Sequence, residues 1–168
     1  MMPSLSAQLI ATPFNPLDAV EDVMISRDLN FDRPVEEEIV GEIASLWGTL
    51  RLWYRWEEAL GLMVFSCAME GKIGPLQRSK IYPLLAAINE KIWLGHFDFA
   101  SEEGAVIFRH SLMLGKSDEF FVEQIENLLE IATTECDRFY PALQAVIWGN
   151  QSPADALNLA MFETAGEA

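Results

Sequence analysis

Few residues in this 168-residue sequence have types and spacings that could carry covalent chemistry. Cys67 could act as a nucleophile with His96 or His110, because strands distant in sequence can be neighbours in one sheet. A working thiolate, however, needs nearby positive charge or a helix N-terminus, and Cys67 lies in the apolar run at 60–69, which raises a thiol pKa. The histidines, two in the chain, flank Ser101-Glu102-Glu103-Gly104. A three-residue loop over Glu102 to Gly104 would set them opposite each other, able to share a ligand. Zinc needs three or four converging ligands, and the sequence offers no such set. The carboxylates of Glu36-Glu37-Glu38, Glu42 and Glu57-Glu58 lack the glycine and the closely spaced Asp and Asn of a calcium loop, and read as a solvated face. Gly71 and Gly74-Pro75 are not followed by the Lys and Ser or Thr of a phosphate loop. No catalytic residue, metal or cofactor is expected, and the chain reads as a non-enzyme.

Binding is better represented. In the segment 49–57, Leu50, Leu52, Tyr54 and Trp56 fall on one side of a strand, and Thr49, Arg51, Trp53 and Arg55 on the other. A large aromatic flanked by arginines is the composition of binding hot spots, so Arg51, Trp53 and Arg55 are the candidate partner-binding residues. Two readings stay open. Either this face meets a partner, or Trp53 packs under a helix while the arginines neutralise glutamates on neighbouring strands.

The surrounding elements follow from periodicity. Asn15-Pro16 opens a helix over 16–27, with Leu17, Val20 and Met24 at helical spacing. Alternation predicts strands at 36–44 and 49–57, and the continuous apolar run 62–69 predicts a central strand covered on both faces. Ile81, Leu84, Leu85, Ile88 and Ile92 predict a helix over 77–94, capped by Gly95 and starting late or kinked at Pro83. Strands at 96–100 and 105–114 form a hairpin with Gly104 at the position needing positive φ. Ser117 caps a long helix whose buried stripe is Phe121, Ile125, Leu128, Ala132, Cys136 and Phe139. Pro141 breaks or bends it, a further turn or two reaches Gly149, and Ser152-Pro153 opens a last short helix. The order α-β-β-β-α-β-β-α-α gives an α+β fold, a five-stranded antiparallel sheet with its helices packed on it. The expected organisation is a flexible segment over 1–14, one domain over 15–163 and a frayed tail over 164–168.

Apolar residues make up 51% of the chain, enough for one core. Asp and Glu number 26 against 11 Lys and Arg, a formal charge of −15 that repels nucleic acid and anionic membrane. The first fifteen residues carry no Lys or Arg and lack the form of a secretory signal, and no apolar run approaches membrane-spanning length. Cys67 and Cys136, outside any CxxC spacing, read as buried, reduced thiols, so a cytoplasmic location is expected.

The chain resembles the bacterial YbjN domain family in Leu50-Arg51-Leu52-Trp53, Phe65-Ser66-Cys67, Ile88-Asn89-Glu90, Leu94-Gly95-His96-Phe97, Phe108-Arg109-His110 and Glu135-Cys136-Asp137-Arg138-Phe139-Tyr140. The resemblance spans roughly Asn15 to the C-terminus. It implies an element order similar to the type III secretion chaperones, small acidic dimers that hold a client in extended form, and a sensory-transduction or regulatory role. The family supplies no catalytic residues to carry over. The resulting expectation is a chaperone-like or regulatory protein-binding module, a homodimer that holds a protein client or partner. Two alternatives remain: a small-molecule sensor with a pocket between sheet and helices, and an enzyme using Cys67, His96 or His110.

Overall fold

In the computed structural model the described residues are 14–114 and 121–165, with side chains through Met161. The predicted cap of the long helix, Ser117, lies outside them. The chain begins with α1 (Pro16–Ser26), where the Asn15 side chain accepts from the Leu17 N–H at 2.9 Å and Pro16 occupies the first turn. Four strands follow, β1 (Phe31–Val35), β2 (Glu38–Ser45), β3 (Gly48–Glu57) and β4 (Leu62–Ala68). Next come α2 (Pro75–Asn89), the hairpin β5 (His96–Ala100) and β6 (Ala105–Met113), then α3 (Phe121–Ile147) and α4 (Pro153–Ala165). All strand pairs are antiparallel, in the order β1-β2-β3-β4-β6-β5.

The fold is α+β as expected, but the sheet has six strands rather than five. The additional strand, β1, carries Asp32, Arg33 and Pro34, a composition that hides a strand from pattern reading. It survives as an edge with an irregular register between Asp32 and Val35. Arg33 ties it to α1 through Asp18 at 2.8 Å and Glu21 at 2.9 Å, and the bond to Asp18 raises its pKa further.

Two helix boundaries also differ from the pattern. α2 begins at Pro75, runs through Pro83 and ends at Asn89, so Gly95 is not its cap. The apolar rhythm continues through Ile92 and Leu94, which pack against the core from the connection rather than from the helix. Asn89 ends the helix because its amide serves β5: Oδ1 accepts from Phe97 N–H at 2.7 Å, and Nδ2 donates to the Phe97 carbonyl at 3.0 Å. Gly95 has a different task. Its φ is +70°, and a Cβ there would stand 2.3 Å from Phe108 Cζ. At Pro141 the helix is not broken, and α3 continues as one element to Ile147.

The predicted hairpin is present, with Gly104 at φ +67°. Its loop is longer than three residues, since Ala100 pairs with Ala105.

The core lies on one face of the sheet. Tyr54, Phe65 and Phe108 are fully buried there, and Phe139 of α3 joins them through edge-on contact with Phe97. The predicted stripe of α3, from Phe121 to Phe139, is buried along its whole length. β4 is central but is not covered equally on its two faces. Met63, Phe65 and Cys67 are buried in the core, whereas on the other side Leu62, Val64 and Ser66 are only half-buried and the small Ala68 is buried outside that core, with no described helix packed over them.

Candidate functional site

Strict alternation along β3 sends Arg51, Trp53 and Arg55 to the face that the described helices leave uncovered. The cross-strand register sets their surroundings. On the β2 side Arg51 stands opposite Glu42, Trp53 opposite Val40 and Arg55 opposite Glu38. On the β4 side the same residues face Ala68, Ser66 and Val64. One strand further, Arg109 of β6 lies opposite Ser66 and Ile107 opposite Ala68.

The sizes of these side chains shape the surface. Ser66 and Ala68 are small, while Arg51 and Trp53 on one flank and Ile107 and Arg109 on the other are large, so a trough of about 220 Å³ runs over β4. A second hollow of about 330 Å³ lies between Trp53 and β1, lined by Phe31, Asp32, Val40 and Glu42. Trp53 is the ridge between them. The Arg51 guanidinium lies over its indole, 5.5 Å from the ring centroid, which holds the ring half-buried with a hydrophobic flank facing each hollow.

The charges are unequally engaged. Arg55 Nε donates to Glu57 Oε1 at 2.6 Å, and Arg109 reaches Asp98 at 3.3 Å. Among the described residues no carboxylate lies within ion-pair distance of Arg51. The two readings of this segment therefore divide. Trp53 does not pack under a described helix, and Arg55 is paired, though along its own strand rather than across to β2.

The other residues with chemical potential are separated by the fold. His96 stands opposite Arg109, and His110 opposite Phe65, so the two histidines are not paired across the hairpin. They also occupy opposite faces by parity, with His96 exposed. Burial, and then the charge of His96, lowers the His110 pKa. Cys67 and Cys136 are brought together, which the sequence reading did not anticipate: their sulfurs are 3.9 Å apart in the core, joining β4 to α3. The bond that Cys136 donates to Cys67, with burial, holds its thiol well above the ordinary range, the reverse of what a nucleophilic thiolate needs. The Tyr54 hydroxyl is buried in the same core and its pKa is pushed up by that burial. Among the described residues no three His, Cys, Asp or Glu side chains converge as a metal would require, and no helix is long and apolar enough to cross a membrane.

Comparison with known proteins gives two positive findings. A family model, YbjN, described as "Putative bacterial sensory transduction regulator", matches residues 16–145. Among solved structures, the chain is similar to one titled "Crystal structure of YbjN, a putative transcription regulator from E. coli". The TM-score is 0.47 at 15% identity, over 72% of this chain and 90% of that one. No curated protein is matched.

Proposed function

The chain belongs to the YbjN family, and from that premise we propose that it is a non-catalytic, chaperone-like regulatory module. In this reading it works in the cytoplasm as a homodimer and holds a protein client on the uncovered sheet face, through Arg51, Trp53 and Arg55. The observation that carries the reading is Trp53: a large aromatic held half-exposed beneath an arginine, between two hollows, on a face with no described helix over it. Such residues gain most from being desolvated by a partner. Arg51, free of ion pairing among the described residues, supplies a donor fork for a client carbonyl or carboxylate.

The test is affinity capture of tagged protein from its own source, with Trp53→Ala as control and light scattering to give the mass in solution. The reading expects a stoichiometric protein that is retained by wild type, lost with Trp53→Ala, and cross-linked to residues of the uncovered face. Equal retention by both proteins would reject this face as the client site.

A further inference from the structure

A further cavity lies away from the uncovered face, where the end of α3 meets the end of the sheet. It has a volume of about 290 Å³ and is walled by Val106, Tyr140, Leu143, Ile147 and Trp148, with Glu70 at its rim. A much smaller notch adjoins it, sharing Met69, Glu70 and Tyr140 and adding Trp47 and Asp137. We infer that this cleft is a binding site for a small organic ammonium ion.

The aromatic walls are preorganised. Trp47 stacks on Tyr140 with ring centroids 5.6 Å apart and planes within 14°. Its indole N–H donates to the Asp137 carbonyl at 3.0 Å, and the neighbouring Leu46 N–H donates to Asp137 Oδ1 at 3.1 Å, so the β2–β3 turn is pinned to α3. Trp148 lines the cleft yet remains 60% exposed, a large apolar area that packing among the described residues does not cover. Aromatic faces of this kind attract cations, most strongly when the cation has a diffuse charge and an apolar surface of its own.

Electrostatics select the sign of the ligand. Glu70 and Asp137 are the charged residues lining cleft and notch, and no described residue lining either is Lys, Arg or His. Among the described residues Glu70 has no cation within ion-pair distance, although its carboxylate folds back to within 3.5 Å of where a Cβ on Gly48 would sit. The cleft is lined by the last turn of α3, the negative end of that helix dipole, which carries no basic residue. Lys80 approaches this end of α3 but is engaged by Asn150 Oδ1 at 2.7 Å and does not line the cleft. A chain of formal charge −15 also concentrates cations around itself.

The walls exclude an inorganic ion as the preferred ligand. Leu143, Ile147 and Val106 cannot replace the water shell of a metal cation, whereas an alkylated ammonium gives up little hydration on entering. The volume suits a ligand of small-molecule size. An alkylated ammonium could be a free metabolite or the trimethylated side chain of a lysine in another protein, and the same chemistry serves both.

The test follows the indole signals of Trp47 and Trp148 by NMR while choline, or Nα-acetyl-trimethyllysine methylamide, is added to the full chain. Saturable shifts with a Kd of order 1 mM or below are expected for at least one of them, and the tighter of the two identifies the source. The neutral isostere 3,3-dimethylbutan-1-ol is expected to bind about tenfold more weakly. Glu70→Gln should weaken choline or trimethyllysine binding about fivefold, as for an exposed charge pair, and Trp148→Ala about tenfold. Both residues are exposed, so both variants should fold. Trp53→Ala should leave binding unchanged, which separates this site from the client face. Equal binding of the neutral isostere, the absence of saturation by either cation, or loss of binding in Trp53→Ala would each overturn the inference.

Discussion

The two faces of the sheet are built from the same strands in alternation, yet they spend their aromatic residues differently. On the covered face Tyr54 packs at 4.8 Å against Phe65, and Phe65 meets Phe108 edge-on at 6.5 Å, all of them shielded from solvent. On the opposite face of the same β3, Trp53 has an arginine above it and small residues beside it. One residue of offset separates a side chain that holds the fold from one that faces outward. Residue type alone therefore says little about role; parity along the strand decides it.

Substitutions on each face would sharpen or break that comparison. The largest effect is expected at the covered face, where Phe65→Ala should cost about 3–5 kcal/mol in urea unfolding. Asn89→Ala, which strips both backbone partners from Phe97, should cost about 1–3 kcal/mol, with faster hydrogen exchange at the Phe97 amide. Gly95→Ala combines a strained φ with a clash against Phe108 and should cost a similar amount, about 1–3 kcal/mol. Trp53→Ala should fall below about 1 kcal/mol, because the ring is half-exposed and no helix rests on it. A loss as large as that of Phe65→Ala would make the uncovered face structural and break the comparison.

The smallest expected effect is a pH dependence. His110 sits on the covered side, and its folded pKa is lowered from the ordinary 6.5. The unfolded chain therefore binds the proton first, so stability falls as pH drops through about 6.5 toward the folded value and is flat above it. Burial is the larger cause, and the charge of His96 on the other face adds to it. His110→Gln should flatten this part of the stability profile, measured by thermal melts across that window.

Much of the fold was legible because its long elements carry clean periodicities. The α3 stripe, the β3 alternation and the β5–β6 hairpin could be read directly from residue spacing. β1 could not be, since Pro34 and the charges of Asp32 and Arg33 are tolerated only because an edge strand leaves one side unpaired and Arg33 finds Asp18 and Glu21. The end of α2 was misplaced because the apolar rhythm outlasts the helix, and only the Asn89 bridge to Phe97 shows why it stops. Pro83 and Pro141 suggest breaks that tertiary packing overrides. Arg51, Trp53 and Arg55 were readable as an outward-facing group, but the trough over β4 was not. It depends on Ser66 and Ala68 lying between β3 and β6, a neighbour relation that joins residues far apart in sequence. The Cys67–Cys136 approach and the cleft beside Trp148 were hidden for the same reason.

The Asn89 bridge has one more consequence. The outward amide of Phe97 is occupied by Asn89, that of Phe99 by Asp98 Oδ1 at 2.8 Å, and Pro34 in the opposite margin has no amide hydrogen to offer. A visiting strand finds little main chain to zip onto at either margin, so growth of the sheet from molecule to molecule is discouraged. Recognition is then left to side chains, and a guest's residue types matter more than its ability to become a seventh strand.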